Sequence, residues 1–246
     1  MVLIMNGSRT NAELKAVARG QLLGNYKMLA GYVALLGLIS MFINSLTLSI
    51  TAFSVWTELL VSLIGSLLGG IILTGFIRIC MNTARGEQTS LRDFFYAIKH
   101  DPDKIIIICA VEWCFSIPWQ LVIVYSEYAA KVLALEPGMA MMLEAIILVI
   151  LFTVNIIASI LLSQCYYLYI DRPELNAREI MLMSLNVMNR HKLQYFNLEL
   201  SMIGLVLLMV ITLGIGAFWI MPYIYTIYVN YYEDLKGEFD GYNLKT

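Results

Sequence analysis

Six apolar runs, each about as long as a helix must be to cross a lipid bilayer, limit this chain's folds more than any other feature of its sequence. They occupy residues 28–50, 55–79, 105–125, 139–165, 195–213 and 217–232. A hydrocarbon core about 30 Å thick takes about 20 helical residues, and lipid offers no partner to a stray N–H or C=O, so each run must bond its backbone internally. Strands are excluded because the runs are too long and do not alternate, whereas a membrane barrel shows segments of about ten residues with period two. The expected class is all-α: six transmembrane helices in a single membrane domain over residues 1–246. The last run is the weakest, since it follows the corner Thr212-Leu213-Gly214-Ile215-Gly216, contains Pro222 and is crowded with tyrosines. A re-entrant hairpin is the alternative there.

With 60% hydrophobic and 14% charged residues the chain is far more apolar than a soluble domain, which carries roughly 45–50% and about 25%. A net charge of −2 supplies no basic field to hold nucleic acid. No cleaved export signal is expected, because residues 1–5 run at once into Asn6, Gly7, Ser8 and Arg9. Cys80, Cys109, Cys114 and Cys165 form no C-x-x-C pair, so packing is expected of them, not a disulfide framework or a zinc site.

Lys and Arg set the orientation, because short loops rich in them stay cytoplasmic. With the N-terminus inside, Lys131 is the one of the 16 basic residues that falls outside, and both termini are cytoplasmic. Removing one internal span would reverse every later loop, so span count and topology support each other. Tyr166, Tyr167 and Tyr169 at the inner end of the fourth run, and Trp56 at the outer start of the second, fit aromatic belts at the headgroup level. Ser62, Gly65, Ser66, Gly69 and Gly70 give the second run a stripe of small residues for close helix packing, which would also suit a narrow pore.

A shorter pattern precedes alternate runs. Leu91, Phe94, Phe95 and Ile98 follow the spacing of one helix face after a Ser90 cap; Ala177, Ile180, Met181, Ser184, Leu185 and Met188 do so after Asn176, and Leu14, Val17, Ala18 and Leu22 more weakly. Basic residues share one register across the three, from Lys15 to Lys27, from Arg92 to Lys104 and from Arg178 to Arg190. The register predicts three parallel modules, 11–82, 89–170 and 174–235, each an amphipathic interfacial helix followed by a two-helix hairpin. Parallel modules disfavour the inverted repeats of many secondary transporters. The plainest role for these helices is to seal the cytoplasmic rim of the bundle, their basic residues meeting anionic lipid headgroups.

Ionisable groups inside a span are costly and so mark candidate sites. Glu112 and Glu199 each sit about 10 to 12 Å along their helices from the inner boundary at 1.5 Å per residue. Arg78 is the natural partner for Glu112 in a structural ion pair; the competing reading is a proton or cation path through Glu112 and Glu199, helped by Asn155 and Gln164. Pro118 and Pro222 interrupt the third and sixth runs, and such kinks serve packing as often as they line a cavity. No metalloprotease, nucleophile-elbow or Walker motif is present, and His100 and His191 stand at the inner interface without the company a metal site needs, so no cofactor is expected.

The two ends of the chain carry further motifs: Leu14-Lys15, Ala18-Arg19 and Gly24-Asn25-Tyr26 near the start, then Leu213-Gly214-Ile215-Gly216, Pro222-Tyr223, Thr226 and Tyr231-Tyr232-Glu233-Asp234-Leu235 near the end. With the loop Asp171-Arg172-Pro173-Glu174-Leu175 these resemble, over nearly the whole chain, the bacterial integral membrane family called domain of unknown function 975. The resemblance implies a bacterial, mostly Gram-positive, cytoplasmic membrane and about six spans, and it supplies no reaction, ligand or catalytic residue. Tyr231 stands where the family usually has Phe. The leading expectation is a non-catalytic accessory or immunity-type membrane protein that docks a membrane partner. The alternatives are a small-molecule or lipid transporter using Glu112 and Glu199, and a membrane-embedded enzyme acting on lipid.

Overall fold

The computed structural model describes residues 9–50, 55–132 and 136–241, which are helices joined by short turns and loops, without a strand. Residues 1–5 and Lys245 lie outside them. Helix α1 (Asn11–Leu22) starts on Thr10, whose hydroxyl accepts from the Glu13 N–H at 3.4 Å while the Glu13 carboxylate accepts from the Thr10 N–H at 2.8 Å. That reciprocal pair satisfies two donors that a helix start leaves open. Gly24, at φ +89°, turns the chain, and α2 (Tyr26–Ile50) departs at 98° to α1. Helix α3 (Val55–Arg85) leads into two single turns, α4 (Leu91–Phe94) and α5 (Tyr96–Lys99). Asp101 in the left-handed region, then Pro102 with its preset helical φ, starts α6 (Pro102–Val132). Helix α7 (Pro137–Leu162) breaks at Ser163 and Gln164 and resumes as α8 (Cys165–Asp171). Helices α9 (Ala177–Leu200) and α10 (Ile203–Ile211) follow. A corner with Leu213 at φ 51° and Gly214 at φ 86° then turns into α11 (Ala217–Asp240), the Thr212 hydroxyl accepting the Gly216 N–H at 2.9 Å.

Among the described residues, four stretches are long and apolar enough to cross a membrane: Trp56–Arg85, Pro102–Ile123, Pro137–Asp171 and Ala177–Ile211. The bent pair of α1 with α2 makes a fifth. The sixth expected crossing, 217–232, is helical but is not among them. Its helix mixes tyrosines with Asn230, Glu233, Asp234, Lys236 and Glu238, which lowers its hydropathy. Pro118 and Pro222 both lie inside unbroken helices.

Burial runs opposite to that of a water-soluble bundle. Along α3, Phe76, Ile79 and Met81 are wholly buried, while Leu60 and Ile64 toward its start are more than half exposed. Val149 on α7 and Ile211 on α10 are also exposed. Water would not tolerate so much continuous apolar surface, whereas acyl chains are as apolar as leucine and solvate it without penalty. The packed core gathers instead where the charged residues are.

The three amphipathic stretches take three different backbone paths. Helix α1 buries Leu14, Ala18 and Leu22, and the Lys15 ammonium ends on the Ser201 carbonyl oxygen at 2.9 Å. In the second stretch the helix breaks at Phe95; Phe94, Tyr96 and Ala97 face the core, and Leu91, Phe95 and Ile98 face outward, so the expected single stripe is split. In the third, nothing separates an interfacial helix from a span: α9 runs unbroken through His191 and Lys192, with neither Gly nor Pro in it. Lys104 bonds the Pro173 carbonyl and Asp101. Lys27, Arg92, Arg178 and Arg190 remain exposed, so Lys15 and Lys104 are the two of the six interfacial bases that turn to protein instead of lipid.

Candidate functional site

Asn155 and Ser159 on α7 and Ser163 just past its end stand four residues apart, so they form one polar stripe along a mostly apolar helix. The stripe borders a cavity of about 340 Å³ that Glu112 of α6, Tyr166 and Tyr167 of α8, Tyr195 and Glu199 of α9, and Tyr225 and Tyr228 of α11 also line. Two carboxylates far apart in sequence thus reach one space. The Tyr166 hydroxyl donates to Glu112 Oε2 at 2.6 Å, the length expected when an O–H meets a carboxylate. The Glu199 carboxylate has no hydrogen bond or ion pair among the described residues. The ring of Tyr228 lies 5.6 Å from that of Tyr195 and 6.2 Å from that of Tyr225, giving one wall a continuous aromatic surface.

Asn155 has a second task. Its amide donates to the Phe115 carbonyl oxygen at 3.1 Å, in the turn of α6 that Pro118 interrupts, and to its own Leu151 carbonyl at 2.9 Å. The bond to Phe115 ties α7 to α6 one residue beyond Cys114, whose carbonyl Pro118 leaves without its helical donor. Gln164 does not line the cavity. It is wholly buried in the α7–α8 break, its amide nitrogen bonded to the Ser163 hydroxyl at 2.9 Å and its oxygen without a partner among the described residues.

Arg78 is elsewhere, and its expected pairing with Glu112 is corrected. Its Nε donates to Asp93 Oδ1 at 3.3 Å, and its guanidinium lies 3.9 Å from the centre of the Tyr96 ring. The reason is one turn away on the same face of α3. A Cβ on Gly75 would stand 1.9 Å from the Phe94 carbonyl oxygen, so this glycine admits the α4 backbone and delivers Asp93 to Arg78. Burial pushes the Asp93 carboxyl up, but the Ser90 N–H, the Ser90 hydroxyl and Arg78 together outweigh it and hold it below its ordinary value of 3.8.

The cavity tyrosines are what sequence reasoning missed. Tyr166 and Tyr167 read as belt residues, yet Tyr167 is buried, stacked on Tyr232 at 5.5 Å, and so is Tyr169. The signal lay in spacing: Tyr195 and Glu199 at i, i+4, and Tyr225 and Tyr228 at i, i+3, each share a helix face. Part of the small-residue stripe of α3 packs: a Cβ on Gly70 would meet Cys109 Sγ at 2.0 Å and the Ser62 hydroxyl accepts the Trp113 indole N–H at 2.9 Å, whereas Gly69 is exposed. Cys80, Cys109 and Cys165 are buried and Cys114 is exposed.

Below the cavity, charged side chains tie the helix ends together. Asp171 Oδ1 accepts from Arg85 at 2.9 Å; its Oδ2 accepts from the Tyr232 hydroxyl at 3.0 Å and from Lys236 at 2.8 Å; Arg85 also meets Glu233 at 2.5 Å. Asp234 takes Arg9 at 2.5 Å, so the Tyr232-Glu233-Asp234 motif is a structural clasp. His191 bonds Glu238 at 2.9 Å, and His100 stacks on Tyr96.

Long apolar helices that lipid can solvate, a charged and packed end, and a polar cavity between them define an all-helical protein compatible with a membrane. The chain belongs to the family described as protein of unknown function (DUF975), whose family model spans residues 5–238. No curated protein and no solved structure matches it.

Proposed function

We propose that the chain is a carrier of the bacterial cytoplasmic membrane, crossing it six times with both ends in the cytoplasm, and that it binds a small molecule in the cavity between Glu112 and Glu199 without catalysing a reaction. One observation carries the reading: a carboxylate with no partner among the described residues, Glu199, faces a cavity that a second carboxylate also lines. Leaving a charged group unpaired at such depth is expensive unless something else comes to pair it. A purely structural acid would have been given its arginine, as Asp93 was given Arg78. The accessory or immunity-type reading draws on the missing catalytic motifs and on the interfacial helices, whose outward Leu91, Phe95 and Ile98 the headgroup layer would also cover.

The test loads proteoliposomes with a small-molecule extract of bacterial cells and follows by mass spectrometry what leaves. At least one solute is expected to exit faster from the wild type than from Glu112→Gln/Glu199→Gln, by about tenfold or more, as loss of a charged contact implies. Equal efflux of every solute would remove the carrier. The topology has its own check: a cysteine introduced as Lys99→Cys or Arg178→Cys should stay unlabelled by an impermeant thiol reagent on intact cells and react once they are opened. Labelling from outside at either position would reverse the orientation.

A further inference from the structure

Sign, surface and shape of the cavity restrict what fits it. Two carboxylates line it and no Lys, Arg or His does, so an anion would enter against the local field. The aromatic wall of Tyr195, Tyr225 and Tyr228 offers ring faces, whose negative quadrupole attracts a cation and shelters an apolar body. A volume of about 340 Å³ is in the usual range for an organic ligand, about 300–1,000 Å³. A bare divalent metal wants more: calcium takes about six to eight oxygens, and the described residues contain no group of three His, Cys, Asp or Glu side chains able to hold one.

A second feature points the same way. An apolar groove of about 400 Å³ adjoins the cavity, and Phe115, Ala158 and Leu162 line both. Apart from those three it is lined by aliphatic side chains and by Arg178, its one charged residue. The apolar portion of a ligand could extend into the groove, whereas a positive centre is repelled there by Arg178 and drawn toward the carboxylates.

We propose that the molecule this site takes is a lipophilic organic cation, its charged centre between Glu112 and Glu199 and its apolar body against the tyrosine rings and the adjoining groove. The inference rests on the binding reading above and names its ligand class. The probe pair is tetraphenylphosphonium and tetraphenylborate, which share size and shape and differ in sign. Each is titrated by equilibrium dialysis into nanodiscs carrying the full chain, and partition into empty nanodiscs is subtracted. The expected result is saturable excess binding of the phosphonium, none of the borate, and a loss of about tenfold or more in phosphonium affinity in Glu199→Gln and again in Glu112→Gln/Glu199→Gln. Excess binding of both ions alike, preference for the borate, or no excess of the phosphonium would each overturn it, and these need only the wild-type chain. Unchanged phosphonium affinity in the well-folded double variant would overturn it too. A neutral or anionic solute leaving the proteoliposomes without phosphonium binding removes the cation and keeps the carrier; phosphonium binding without any efflux does the reverse.

Discussion

Gly75→Ala is expected to unfold this protein at a markedly lower temperature than the wild type, although alanine is the better helix former. Intrinsic propensity would reward the change by about 1 kcal/mol. Packing outweighs that, because the new Cβ would stand 1.9 Å from the Phe94 carbonyl oxygen, 2.5 Å from its carbonyl carbon and 2.9 Å from its Cα. These are backbone atoms of a neighbouring turn, which no rotamer change can move aside. Overpacking of this kind costs about 1–3 kcal/mol or more, and the shift of α4 would also draw Asp93 away from Arg78. Thermal unfolding in detergent micelles reads the effect, with Gly69→Ala as the matched control because its Cβ would meet nothing within 4 Å.

Acid titration checks the same contact independently. The folded-state value of Asp93 is depressed, so the stability it contributes is present above its ordinary 3.8 and is lost as pH falls through the lowered folded value. That acid loss should shrink in Gly75→Ala, where Asp93 no longer reaches Arg78. A variant as stable as the wild type, with an unchanged acid limb, would mean that α3 and α4 do not meet in this way.

Asp171→Asn should be the most damaging single change at the charged end. Its carboxylate holds Arg85 on one oxygen and both Lys236 and the Tyr232 hydroxyl on the other, joining α3, α8 and α11. The amide keeps the shape but loses the charge and turns an N–H₂ group toward one of the two cations. Removing one partner of a fully buried pair costs about 3–5 kcal/mol. Here Asp171 is 11% exposed but Arg85 and Lys236 are 26% and 38% exposed, so solvent recovers part of the loss. We expect about 2–3 kcal/mol, read as a lower midpoint in thermal unfolding. Adding Lys236→Gln should cost less than the sum of the two single changes, because the second removal relieves a cation that the first left unpaired. Strict additivity would show that the two side chains do not share one site.

Several parts of this architecture were open to direct reading. The all-helical class followed from long apolar runs without alternation, the Ser90 and Asn176 helix starts from the apolar stripes that follow them, and the family from motifs at both ends. Glu112, Glu199 and Asn155 could be singled out because a polar group in an apolar run is conspicuous in one dimension. Their convergence could not be read, since it depends on how α6, α7 and α9 cross. Arg78 shows the limit most clearly. It and Glu112 lie near the same end of their helices, which made them a plausible pair, but Gly75 brings a closer carboxylate to the arginine first. The tyrosines of α8 were misassigned for a related reason: an aromatic ring at a helix end serves a headgroup belt or a helix neighbour equally well, and only the neighbour's position decides.

The sequence by itself determined that the chain is helical, that lipid can solvate its apolar faces, and that its positive charges gather at one end. These follow from local quantities, the length of a run, its hydropathy and the spacing of its residues, which hold whatever the helices do next. The tertiary structure alone decided which carboxylate meets which base, that α9 continues where a break was expected, and that one acid is left facing a tyrosine-lined cavity unpaired. Hydrogen bonds and ion pairs act over a few ångströms, so their partners are set by helix crossings and by a glycine that lets two backbones touch.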